Sequence, residues 1–138
     1  MVNTLDMRDL RYLNLFEKIT GVRTRYCFEY NNAILFSVPG ILISKCLGPD
    51  ARNIHKMSEI LRKRIKVVPL PRNIGDARAF IESIVSPVTF KGLDISPNEI
   101  ILTAGIQSKA ALIGRNKRRL IEMQKIVKDF FQRDFRIV

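Results

Sequence analysis

One unit is written twice in this chain, at an offset of 66 residues. Shifted by that amount, the run Leu47-Gly48-Pro49-Asp50-Ala51-Arg52-Asn53-Ile54 falls on Ile113-Gly114-Arg115-Asn116-Lys117-Arg118-Arg119-Leu120. Met57 falls on Met123, Ile60 on Ile126 and Leu61 on Val127, and the apolar run 34–38 falls on 100–104. The closing segments, 65–68 and 135–138, align after a four-residue insertion in the second copy. A repeat of this length means one supersecondary unit built twice, which removes most fold classes at a stroke. With 138 residues to share, each copy has about 70, near the lower limit for a core of its own. The stretch Pro69-Leu70-Pro71 to Gly75 is the one plausible boundary, stiffened by its two prolines. The sequence therefore predicts units over 1–71 and 72–138.

Each copy predicts the element order α-β-β-α-α-β. In the first, Asn3 or Thr4 is placed to cap a helix whose apolar residues are Leu5, Leu10, Leu13, Leu15, Phe16 and Ile19, ended by Gly21. Residues 22–30 alternate, with Val22, Thr24, Tyr26, Phe28 and Tyr30 on one face and Arg23, Arg25, Cys27 and Glu29 on the other. Asn31-Asn32 signals a tight hairpin turn into a second strand, 33–38, which Pro39-Gly40 breaks. A short helix over 41–47 leads to Gly48. The next helix, 51–63, is expected to bury Ile54, Met57, Ile60 and Leu61 before a closing strand at 64–69. In the second copy Asp76 is the expected cap of a helix over 77–85, stopped by Ser86-Pro87. Strands follow at 88–93 and 99–104 around the polar loop 94–98. Behind Gly114 the residues Leu120, Met123, Val127 and Phe130, flanked by Ile126 and Phe131, make one apolar helical face. The result is an α+β chain with three helices on one face of a three-stranded sheet in each copy.

Chemistry concentrates at the two glycine turns. Gly114 can turn with positive φ and let a ligand backbone approach. Around it Arg115, Asn116, Lys117, Arg118 and Arg119 place cations at the start of a helix, where unpaired N–H groups and the helix dipole favour an anion. The first turn offers Gly48, Pro49, Arg52, Asn53 and Lys56, but carries an acid, Asp50, where a cation would help. The formal net charge is +11, divided as +6 over 1–71 and +5 over 72–138, which favours a polyanionic partner and nucleic acid first.

Other classes fit poorly. There is no GxxxxGK[ST] or GxGxxG, and the seven glycines are scattered. His55 is the only histidine, so no histidine-based catalytic or metal constellation can form. The sequence predicts no enzyme, no metal, no cofactor and no small-molecule substrate. The uncharged run over 31–44 is broken by Pro39-Gly40 and falls short of the roughly 20 apolar residues a membrane helix needs, so no membrane partner is expected. Cys27 and Cys46, without a CxxC, read as free thiols of a cytoplasmic protein. Phe16, Phe28, Phe36, Phe80 and Phe90 recur at core spacing and read as core.

The helix-Gly-x-x-x-helix turns at Gly48 and Gly114, each followed by a strand in this element order, resemble those of the type II KH domain. That module clamps about four nucleotides of single-stranded RNA or DNA at its GxxG loop. The tandem pair is similar to the KH pair of the NusA family of transcription factors, above all to the short archaeal NusA-like proteins. The stretch from Leu47-Gly48 through Leu61 carries the closest likeness, and the resemblance covers nearly the whole chain. It implies single-stranded RNA as partner, RNA polymerase as a second candidate partner, and a role in transcription elongation or termination. The chain departs from the GxxG pattern at Ala51 and Lys117, which stand where the second glycine belongs. The alternative reading is a protein-interaction adaptor of the ribosome or RNA polymerase, whose basic face reads no sequence.

Overall fold

The computed structural model describes residues 7–138; the Asn3 or Thr4 cap and Leu5 lie outside the described residues. The chain divides into two compact units between Gly75 and Asp76. Each holds one three-stranded sheet, and the architecture is α+β.

In the first unit α1 (Met7–Thr20) buries Leu13 and Phe16, while Leu10 is 43% exposed and Leu15 only half-buried. Its end is fixed by Thr20, whose hydroxyl donates to the Phe16 carbonyl (2.7 Å) and accepts the Val22 N–H (3.0 Å). The strand expected over 22–30 is shorter, β1 being Tyr26–Tyr30, and it buries a residue on each face. Cys27, expected outward, is buried opposite Phe36, while on the other face Tyr30 is buried as expected and Tyr26 and Phe28 are half-buried. Thr24 accounts for the late start of the strand. Its hydroxyl donates to the Ser37 carbonyl (2.6 Å) and accepts the Tyr26 N–H (3.3 Å), so regular pairing starts after it. Val22 and Cys27, an odd number of residues apart, can then both reach the core.

Strand β2 (Ala33–Val38) is buried along its whole length, which the period-2 pattern does not reveal. It is the central strand, antiparallel to β1 and parallel to β3 (Arg64–Pro69). Its Ile34, Phe36 and Val38 meet Phe16 of α1, Cys46 of α2 (Ile43–Leu47) and Met57 of α3 (Arg52–Leu61), with the Phe16 and Phe36 rings stacked at 4.3 Å. Burial pushes the Cys46 thiol up from its usual range, against the pull of Lys45. Both cysteines are free and buried. Ile60 is not in the core; it is 53% exposed. It stands at the edge of the stripe defined by Ile54, Met57 and Leu61.

In the second unit α4 (Ala77–Val85) has the expected bounds, although Asp76 makes no capping hydrogen bond through its side chain. Phe80 of α4 packs on Phe130 and Phe131 of α6 (Arg118–Phe131), with centroids at 4.7 and 5.9 Å. The first strand is displaced from the expected 88–93 to β4 (Gly92–Ile95). The Val88 N–H still bonds the Val85 carbonyl and so is not free for a ladder, and the Phe90 ring lies under the Arg78 guanidinium at 5.3 Å. Of the five Phe residues expected in the core, Phe28 and Phe90 are thus only half-buried. Strand β5 (Glu99–Thr103) pairs antiparallel with β4 and parallel with β6 (Asp134–Ile137). The four-residue insertion lies inside α6, which has 14 residues against 10 in α3. Four residues are close to one turn, so the apolar face stays in phase and gains Phe130 and Phe131. Phe130, one turn beyond Ile126, explains why Ile126 is buried where its counterpart Ile60 is not.

Between α2 and α3, and between α5 (Ile106–Ile113) and α6, the backbone makes the same turn. Gly48 has φ 73°, ψ 176° and Gly114 φ 74°, ψ 173°. Only glycine occupies that region readily. The third and fourth residues are left-handed in both turns: Asp50 and Ala51 at φ 53° and 56°, Asn116 and Lys117 at φ 56° and 58°. The fourth N–H closes each turn on the glycine carbonyl at 3.2 Å. Asn and Asp tolerate left-handed backbone, whereas a residue with an ordinary side chain loses about 1 kcal/mol there. The GxxG pattern calls for a second glycine at Ala51 and Lys117 for this reason.

Two substitutions test the turn. Gly114→Ala should destabilise the protein by about 1–3 kcal/mol. Ala51→Gly should stabilise it by up to about 1 kcal/mol, since it relieves left-handed strain. Urea titration of both variants checks the opposite signs; a stabilising Gly114→Ala would contradict the backbone assignment.

Candidate nucleic-acid interface

At the second turn Arg115, Lys117 and Arg118 are exposed, and their side chains make no hydrogen bond or ion pair among the described residues. Lys117 occupies the N-cap of α6 without a side-chain capping bond, so the first N–H groups of the helix lack the usual side-chain acceptor. The Arg118 N–H bonds the Arg115 carbonyl, and three cations at a helix start are an arrangement that can seat a phosphate.

Arg119 has a different placement from its neighbours. It is half-buried, and its side chain fills the space a Cβ on Gly114 would need, with Cγ at 3.0 Å from that position. Asn53, its counterpart in the repeat, does the same at Gly48, its Nδ2 at 2.9 Å from the corresponding point. Asn53 Nδ2 also donates to the Lys45 carbonyl at 3.5 Å, tying the turn back to α2. Both residues, expected from the sequence to bind the ligand, also lie against the glycine of their turn.

The first turn presents Pro49 and Asp50 outward, with Arg52 and Lys56 exposed on α3 behind them. Pro49 has no N–H to offer and Asp50 repels an anion, so the two turns share a backbone and differ in charge. His55 is exposed. Ile121 and Glu122 are not among the binding residues expected from the sequence. Together with Arg115, Asn116 and Arg118 they line an open depression of about 300 Å³ beside the second turn. Ile121 is 58% exposed; the signal for it is an isoleucine lying off the apolar stripe of its helix. Among the described residues no group of three or more His, Cys, Asp or Glu side chains could hold a metal, and no helix is long and apolar enough to cross a membrane.

No protein-family model matches the chain. It is 28% identical over 135 residues to the probable transcription termination protein NusA of Halococcus morrhuae, covering 91% of this chain and 95% of that protein. A crystal structure, that of APE1850, superposes with a TM-score of 0.68 at 21% identity, over 97% of this chain and 99% of the other. At that identity the superposition establishes a shared fold alone. The α+β architecture with two three-stranded sheets fits a KH-like fold, and the sequence comparison supports a NusA-like relationship for this chain.

Proposed function

We propose that the chain is an RNA-binding transcription factor of the NusA kind, made of two tandem type II KH domains. It grips single-stranded RNA mainly at Gly114-Arg115-Asn116-Lys117 and acts in transcription elongation or termination in the cytoplasm. RNA polymerase is the protein partner this reading implies, and the chain has no catalytic role. The observation that carries it is the repeated glycine turn with an uncompensated cation cluster in its second copy. A backbone that only glycine adopts easily, placed before a helix start without a side-chain cap, lets a phosphodiester approach closely. Arg115, Lys117 and Arg118 then supply charge without the loss of an internal ion pair. The relative from Halococcus morrhuae, a probable transcription termination protein, supports the transcription role.

Arg115 and Lys117 are exposed, so replacing both by Asp leaves the core untouched. The double variant should keep its thermal unfolding midpoint and lose affinity for single-stranded RNA. Each phosphate no longer neutralised should flatten the slope of log K against log salt by roughly 0.7. Unchanged affinity and slope in the folded variant would refute the clamp and favour the adaptor reading, in which RNA affinity is weak and nonspecific. The first turn predicts the opposite sign: Asp50→Lys should leave affinity unchanged or raise it, because the acid opposes a phosphate. A marked loss on titration of this variant would mean that Asp50 itself touches the RNA.

A further inference from the structure

The two copies finish their helical layers differently, and the first leaves a corner open. In the second unit Phe130 and Phe131, at the end of α6, pack on Phe80 of α4, and Ile126, one turn before Phe130, is buried. In the first unit α3 ends at Leu61, a turn too early to supply such rings. Ile60, the counterpart of Ile126, is 53% exposed there. Leu10 of α1 is exposed as well, and so is Met7, one turn before it. All three lie at one end of the helical layer. Helix α1 packs on α3. Glu29 of β1 pairs with Arg8, two residues from Leu10, at 3.8 Å and with Lys63, three residues past Ile60, at 3.3 Å.

Ile60 thus occupies what is a core position in the sister copy, beside an exposed leucine on the neighbouring helix, and the apolar group that should cover both is missing. The second copy shows what fits: an aromatic ring arriving from the next turn. Charge narrows the source of that ring. Arg11 follows Leu10, and Lys56 and Arg62 are within four residues of Ile60. All three are exposed, and their side chains make no hydrogen bond or ion pair among the described residues. With Arg8 and Lys63 they set five cations against three acids, Asp9, Glu29 and Glu59, of which Glu29 is already shared by two cations. The corner also stands off the first glycine turn, since Arg52 and Ile60 are about 12 Å apart along the axis of α3. We propose that this corner docks an acidic segment of a partner protein, which lays an aromatic side chain on Leu10 and Ile60 and sets carboxylates against Arg11, Lys56 and Arg62. The surface is separate from the glycine turns and does not rest on the RNA-binding reading.

The test pans a random dodecapeptide library displayed on phage against the full chain in physiological salt, and uses Ile60→Gln as the control surface because it leaves every charge in place. Enriched peptides should combine an aromatic residue with Asp or Glu. Titrated by fluorescence anisotropy, they should bind Ile60→Gln at least about tenfold more weakly, the order expected when an aliphatic contact is lost. Changing the peptide's aromatic residue to Ala should cost a similar factor. Ile60→Gln should lower the thermal unfolding midpoint by less than about 5 °C, as a surface substitution does. A larger fall means that the chain's own residues cover the corner, and overturns the proposal. So does the absence of enrichment, or enrichment of acidic peptides that bind the variant equally well. Loss of single-stranded RNA affinity in folded Ile60→Gln assigns the corner to RNA instead. Self-association of the native chain that the variant abolishes, read by sedimentation velocity, assigns it to a second copy, and either result overturns the docking of an acidic segment.

Discussion

The turn at Gly114 works because the chain leaves α5 at φ 74° and ψ 173°, where a Cβ would be strained by its own backbone and would also meet Arg119. That one residue sets the direction in which α6 starts, and so sets which side chains stand around its first turn. The same conformation at Gly48, within a few degrees, does this for α3. Asn53 and Arg119, both half-buried, each lie against the glycine of their turn. The rest of each unit serves to present this turn: the sheet anchors the helices, and Met57 and Met123, both buried, pin the helix behind each turn to the core.

Given one backbone, charge decides what each copy does. The second turn concentrates Arg115, Lys117 and Arg118, none of them neutralised by a neighbour among the described residues. The first turn has Pro49 and Asp50 in the corresponding places. A net charge of +11 brings the chain to a polyanion from any direction, but long-range attraction does not distinguish one surface from another at physiological salt, where screening cuts it off within about 8 Å. Under the proposed function, local geometry decides where the strand settles. On that reading the local excess at the second turn and the local cancellation at the first make the two copies unequal partners in binding.

How legible this was depended on the scale of the signal. The repeat, α4 over Ala77–Val85, β3 over Arg64–Pro69 and the turn glycines could all be read, because they rest on periodicity and on residues with strong backbone preferences. What failed was side-chain intervention in a strand. Thr24 bonds its own neighbourhood and delays the start of β1, and a period-2 pattern carries no trace of that. Ile60 looked like Ile126 by alignment, yet exposure is set by the extra turn of α6, which the alignment treats as a gap. At the site, the positions of Arg115, Lys117 and Arg118 followed from spacing alone. The packing of Asn53 and Arg119 against the turn glycines did not, since both are ordinary polar residues until a tight turn brings them to the glycine. The depression with Ile121 and Glu122 needed three dimensions, because it gathers residues from a turn and from a helix face that the apolar pattern marks as solvent.

The central claim is that single-stranded RNA is held by the backbone and cations of the second turn. Backbone amide chemical shifts of the isotopically labelled chain, followed during titration with short single-stranded RNA, test it residue by residue. The account predicts that the largest shifts fall on Gly114 through Arg119 and the first turn of α6, with smaller shifts at Gly48 through Arg52. Shifts that spare the Gly114 turn while others move, or that concentrate away from both turns, would contradict it.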